Sequence, residues 1–108
     1  MSVSEPDVID VVSHDPKTDA VVLSMVEERD WGEEGALLPE LQAKLNTYLA
    51  YVLDGQLAKD YPQVAGKPVR IRLHYTHAPG DEEKSFLAMI KRDYLKPQKI
   101  GWEQARLA

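Results

Sequence analysis

The 108-residue chain contains no cysteine. That absence excludes disulfide frameworks, thiolate zinc sites, iron–sulfur clusters and cysteine nucleophiles, and it suits a reducing compartment, so a cytoplasmic location is expected. Long apolar runs are also missing. No stretch approaches the length of a membrane span, and MSVSEPDVIDVV has no basic segment followed by a hydrophobic one, so neither a leader nor a membrane partner is expected. Glycine-rich loops of Rossmann or P-loop spacing are absent, as are internal repeats and low-complexity tracts, and no cofactor is expected. What remains is enough for one domain over 1–108, with 1–6 and 103–108 expected as loose ends.

Positive charge is scarce at the front of the chain. The formal net charge is -5, which disfavours binding to a phosphate backbone, so no nucleic-acid partner is expected. Residues 1–34 carry ten acids against two bases, while residues 67–108 carry five against nine. An acidic front and a basic back are expected to neutralise each other, within one molecule or across a dimer.

DVIDVVSH from Asp7 and AVVLSMVE from Ala20 are β-branched runs separated by DPKTD. Pro16 presets a turn and Asp15 and Thr18 can bond the local backbone, which predicts a hairpin. Alternation places Ile9 and Val11 on one face and Val8 and Val12 on the other. In the second strand Val21, Leu23 and Met25 face away from Val22 and Val26. A hairpin apolar on both faces calls for a second covering layer, supplied either by a twofold partner or by a tail folded over the sheet.

Leu38, Leu41, Leu45, Leu49 and Val52, with Tyr48 on the same side, recur at helical steps and predict a helix ending near Asp54 and Gly55. Its start lies either at Trp31, capped by Asp30, or near Leu38 with Pro39 in the first turn. VRIRLHYT then alternates strictly, with Val69, Ile71, Leu73 and Tyr75 opposite Arg70, Arg72 and His74. Beside the hairpin, its polar face would meet Asp10 or Ser24. A second helix is predicted from Asp81 to Leu95, with Phe86, Leu87, Ile90 and Tyr94 inward and Pro97 at its end. Ile100 and Trp102 supply a short last strand. The order β-β-α-β-α, with this C-terminal strand, predicts an α+β two-layer sandwich with two helices on one face of a small sheet.

Several residue groups carry candidate chemistry. His74 and His77, with Asp81 or Glu82 as a third ligand, have metal-binding types, but strand residues three apart point to opposite faces. The alternative makes His74 part of a polar strand face, His77 the start of a turn, and Asp81, Glu82 and Glu83 a first helical turn favoured by the helix dipole. Ser13, His14 and Asp15 have the residue types of a hydrolase triad, yet strand neighbours diverge and no oxyanion-hole motif accompanies them. Trp31, Tyr48 and Tyr51 could frame a ligand pocket, with Gln42 and Asn46 as neutral polar contacts; core packing, the favoured reading, explains Tyr48 and Trp31 without any ligand.

DVIDVV, a turn and VVLSMVEERDW, followed by LQAKLNTYL, DGQL and YP, resemble a family of small bacterial proteins known as a domain of unknown function. The resemblance runs through Asp10, Trp31, Leu41, Gln42, Lys44 to Asn46, Tyr48, Leu49, Gly55 to Leu57, Tyr61 and Pro62. It implies the same order of strands and helices and a bacterial source, and it brings no activity or catalytic residues. QKIGWEQARLA departs most from the pattern.

The sequence therefore points first to a non-enzymatic binding or protein-interaction module, as a homodimer or with an unidentified protein partner. A small-molecule binding protein or small enzyme using Trp31, Asn46 and Tyr48 is the alternative. Metal-dependent function through His74 and His77 ranks last.

Overall fold

The computed structural model describes residue 9, residues 11–28, residue 31 and residues 37–106. The expectations for Val8, Asp10, Asp30 and the 1–6 end lie outside these residues.

Strands β1 (Val11–Asp15) and β2 (Ala20–Glu27) form the expected antiparallel hairpin. The Lys17 backbone N–H donates to Asp15 Oδ1 at 3.0 Å, an Asx-type bond two residues along the chain. Asp19 closes the turn at φ 59°, in the left-handed region that Asp tolerates better than most residues. Helix α1 (Leu37–Leu53) follows, with Pro39 in its first turn, where the missing N–H breaks no bond. The chain leaves α1 through Gly55 at φ 86°, then forms a short helix α2 (Gln56–Asp60) and a 3-10 turn (Pro62–Val64) before β3 (Val69–Tyr75). Helix α3 (Asp81–Ile90) leads through a π-helical turn (Lys91–Leu95) and a 3-10 turn (Lys96–Gln98) into β4 (Ile100–Arg106). The last strand thus runs through Arg106, into the segment expected from sequence as a loose end.

The sheet order is β1-β2-β3-β4, with β2, β3 and β4 mutually parallel. Parallel neighbours need crossovers, and helices α1 and α3 supply them. Both crossovers step in the same direction across the sheet, so a common handedness puts both helices on the same face. The core shows this arrangement directly. Val21, Leu23 and Met25 of β2, Ile71 and Leu73 of β3 and Ile100 of β4 bury against Leu41, Leu45 and Tyr48 of α1 and Leu87 and Ile90 of α3. The molecule is the α+β sandwich that its periodicities predict.

The inward face of the second helix differs from expectation in one position. Leu87 and Ile90 are buried, but Tyr94 is 42% exposed and Leu95 is fully buried in its place. The π-helical turn is the reason: it widens the helix by about one residue per turn, so the residue five after Ile90 takes the inward position that an α-helix would give to the fourth.

A polar contact keys the covered face to α1: the Tyr48 hydroxyl donates to the Ser24 carbonyl at 2.9 Å. Both partners are buried. Replacing Tyr48 with Phe removes that donor without changing the ring, and is expected to cost about 1 kcal/mol, read as a lower midpoint in urea with an unchanged slope.

Candidate functional site

Residues paired in register share a face of the sheet, so the face away from the helices can be assembled from the strand pairings. It carries Val11, Ser13 and Asp15 of β1, then Ala20, Val22, Ser24 and Val26 of β2. Arg70, Arg72 and His74 of β3 come next, followed by Gly101, Glu103 and Ala105 of β4. The alternation in VRIRLHYT is what puts both arginines here. Ser24 lies beside Arg72, one of the two neighbours anticipated for this polar face.

Arg70 spans the face. Its Nη2 donates to Asp15 Oδ2 at 2.8 Å and to Thr18 Oγ1 at 3.0 Å, and its Nη1 pairs with Glu103. Glu103 in turn accepts from Arg72 at 2.8 and 2.7 Å. A guanidinium suits this task because its planar fork serves several carboxylates at once. The stem of Arg70 lies over Gly101, where an added Cβ would come within 2.8 Å of Arg70 Cγ. Beside this lattice, at the hairpin end, Asp19 accepts from Lys67 at 2.8 Å and pairs with His14 at 2.7 Å. Acidic front and basic back are thus joined within one molecule at Asp15–Arg70 and Asp19–Lys67.

These contacts hold two carboxyls below their ordinary range. For Asp15 the Lys17 backbone N–H contributes most and Arg70 next; for Asp19 the Lys67 ammonium leads and His14 follows.

A second polar group lies on the covered side, toward the C-terminal ends of the parallel strands. Glu27 at the end of β2 is 1% exposed and Lys44 of α1 is fully buried, and both are engaged with partners. The Lys44 ammonium lies 5.7 Å from the Tyr48 ring centroid, within cation–π range. Trp31 is buried and its indole N–H donates to the His77 carbonyl. The Thr76 N–H donates to the Glu27 carbonyl at 3.1 Å, which ties the exits of β2 and β3 together.

The residues singled out as a pocket divide between two environments. Trp31 and Tyr48 are buried. Asn46 is exposed and accepts from Gln42 at 3.2 Å. Two residues along a helix place Asn46 about 160° around α1 from Tyr48. Tyr51 turns to α2 and donates to Asp60 at 2.9 Å; burial first, and this bond second, push its phenol up to about 12. His74 sits on the helix-free face, whereas His77 and Asp81 are exposed in the following loop and the first turn of α3. Among the described residues no three His, Cys, Asp or Glu side chains gather to hold a metal ion. Ser13, His14 and Asp15 go to three different partners: the Val22 carbonyl, Asp19 and Arg70.

Sequence reasoning missed Lys44 and Glu27 as buried groups, and it missed the joining role of Arg70. A lysine three residues after Leu41 and four before Tyr48 lies inside the apolar stripe, and that spacing was the available signal for Lys44. The reach of Arg70 depends on sheet order, which periodicity does not specify.

Fold and site together define a small mixed-sheet α+β protein with one helix-covered face and one face built from paired charges. The chain matches the model of a family of unknown function, DUF6572, over residues 1–103, and it belongs to that family. Neither the curated proteins nor the solved structures contain a match to it.

Two outcomes follow from the lattice. Gly101→Ala forces Arg70 aside at its Cγ, too near the backbone to swing clear, and is expected to cost about 1 to 2 kcal/mol in urea denaturation. Asp15 and Asp19 have folded pKa values below their unfolded ones, so their contribution is present above the unfolded value and is lost as pH falls through the folded value. The thermal midpoint should therefore drop below about pH 4, and the double variant Asp15→Asn, Asp19→Asn should be less stable at neutral pH with a shallower acid decline. An equally steep decline in the double variant would show that other carboxylates govern it.

Proposed function

We propose that this protein is a non-enzymatic protein-interaction module that binds through the helix-free face of its sheet. The observation that carries this reading is the composition of that face: the small, accessible side chains of Ser13, Val26 and Ala105, set among charges already paired with one another. Paired charges are held in fixed positions and present a defined pattern to a partner, while small side chains let another surface approach closely. Among the described residues, the face has neither a set of groups converging on one point nor a free fork aimed at a phosphate.

A small-molecule site is less well supported by the topology. Open parallel sheets form ligand crevices where the strand order reverses, and β2, β3 and β4 advance in one direction without reversal. The exits of β2 and β3 are instead bonded to each other through Thr76 and Glu27.

The test is affinity capture from a lysate of the native host. A protein retained by the wild type should be lost with Val26→Arg, which places a long cation beside His74 at a half-buried position of that face. It should be kept with Lys84→Ala on the exposed side of α3. Loss with both variants, or no specific retention by the wild type, counts against the helix-free face; circular dichroism confirms that each variant is folded.

A further inference from the structure

Strand β4 is an edge of the sheet among the described residues, and it is the longer of the two edges: seven residues against five in β1. In a parallel ladder alternate residues direct their N–H and C=O groups toward the neighbour, and the others direct them outward. The outward groups of β4 meet no strand among the described residues. Edges of this kind are commonly blunted by proline, lysine or a bulge. IGWEQAR contains neither proline nor lysine, and its register with β3 is unbroken from Ile100 to Arg106.

We propose that the outer edge of β4 pairs antiparallel with β4 of a second copy, about a twofold axis through Gln104, to make one continuous eight-stranded sheet. This goes beyond the interaction-module reading, which concerns the helix-free face, and stands independently of it. The side chains along the edge decide both partner and register. A twofold axis perpendicular to the sheet keeps both helix layers on the same side and pairs residues of like face, so the axis passes through a residue. An axis at Glu103 would set two carboxylates directly opposite each other, which is destabilising. An axis at Trp102 would leave Arg106 beyond the overlap.

The axis at Gln104 resolves both problems. It sets Trp102 opposite Arg106 of the second copy, twice by symmetry, and a guanidinium over an indole is the most favourable of the cation–π pairs. Glu103 then faces Ala105 of the second copy instead of another acid. At the centre, Trp102 Nε1 donates to Gln104 Oε1 at 2.9 Å. This bond orients the amide so that its NH₂ group can donate to the same amide of the second copy, whose carbonyl oxygen has a second lone pair. Trp102 is half-buried and Gln104 exposed, so the indole is already anchored while the amide it holds remains accessible.

The experiment measures solution mass by light scattering and adds a cross-link. At roughly 100 µM, where micromolar association is saturated, the wild type should show twice the mass of the 12.2 kDa chain. Gln104→Lys should weaken the dimer at least tenfold by setting two lysines across the axis. Because the native chain lacks cysteine, Gln104→Cys provides a clean trap. Directly opposite residues lie about 4.5 to 5.5 Å apart at Cα, within disulfide reach, so mild oxidation should yield a covalent dimer. Lys17→Cys in the hairpin turn should not.

A wild type that stays at the mass of one chain overturns the pairing, as does a dimer that survives Gln104→Lys and leaves Gln104→Cys uncross-linked. A dimer broken by Val26→Arg but not by Gln104→Lys also overturns it, and assigns the second copy to the helix-free face. In each of these cases the interaction-module reading is still judged separately, by the capture experiment.

Discussion

Strand β2 has to serve a neighbour running against it and another running with it, and it is buried on both faces while doing so. From Ala20 to Met25 no residue is more than 9% exposed. A strand in that position must be apolar nearly throughout, which is why AVVLSMV reads as a continuous run instead of an alternating one. Its register then determines the rest. With Leu23 beside Ile71 and Ser24 beside Arg72, a slip of one residue would turn a serine and an arginine into the helix-covered core. The surrounding elements are keyed to the same strand: Val21 N–H donates to the Pro68 carbonyl at 2.7 Å where β3 begins, and Thr76 N–H reaches the Glu27 carbonyl where it ends.

The two sides of the sheet handle polarity in different ways. On the covered side, the buried polar groups among the described residues are engaged: Tyr48 on a strand carbonyl, Lys44 against an aromatic ring, and Glu27 at a strand end with a partner of its side chain or backbone. Each resides in a medium where an unpaired charge would be costly. On the open side, charges are numerous and shared, with Arg70 holding acids from two different strands. An arginine suits the shared arrangement because its several donors are fixed in one plane, and a lysine suits the covered side because a compact ammonium fits over a ring.

Much of the fold was legible in the sequence because each element carries one dominant period. VRIRLHYT alternates without a break, and Leu41, Leu45 and Leu49 repeat every four residues; both were placed correctly. The hairpin was legible through DPKTD, whose Asp15 makes the bond that its residue type predicts. Tyr94 was misplaced because a π-helical turn shifts phase within a run whose composition is ordinary for an α-helix. The helix α2 was missed because five residues are too few to show a period. The site was less legible than the fold. Asp15 and Arg70 lie fifty-five residues apart in the chain, and only the sheet order brings them together. Trp31 and Tyr48 were legible as large buried rings, but Gln42, four after Leu38 and three before Leu45, lies only at the flank of the stripe, and it bonds to Asn46 on the exposed side of α1.

Charge balance on the helix-free face bears on what kind of surface it can meet. Asp15 and Glu103 offset Arg70 and Arg72 there, so the face carries almost no net charge although the chain as a whole is acidic. A phosphate backbone requires unpaired cations whose counterions are released on binding, and neither arginine of this lattice is unpaired. A protein surface makes a different demand. Its interface core tolerates arginine, disfavours isolated acids and excludes water from groups that are already bonded. Among the described residues, Asp15 and Glu103 are paired with arginines, so the ordering of four long or charged side chains has already taken place in the free protein and would not be a cost of binding.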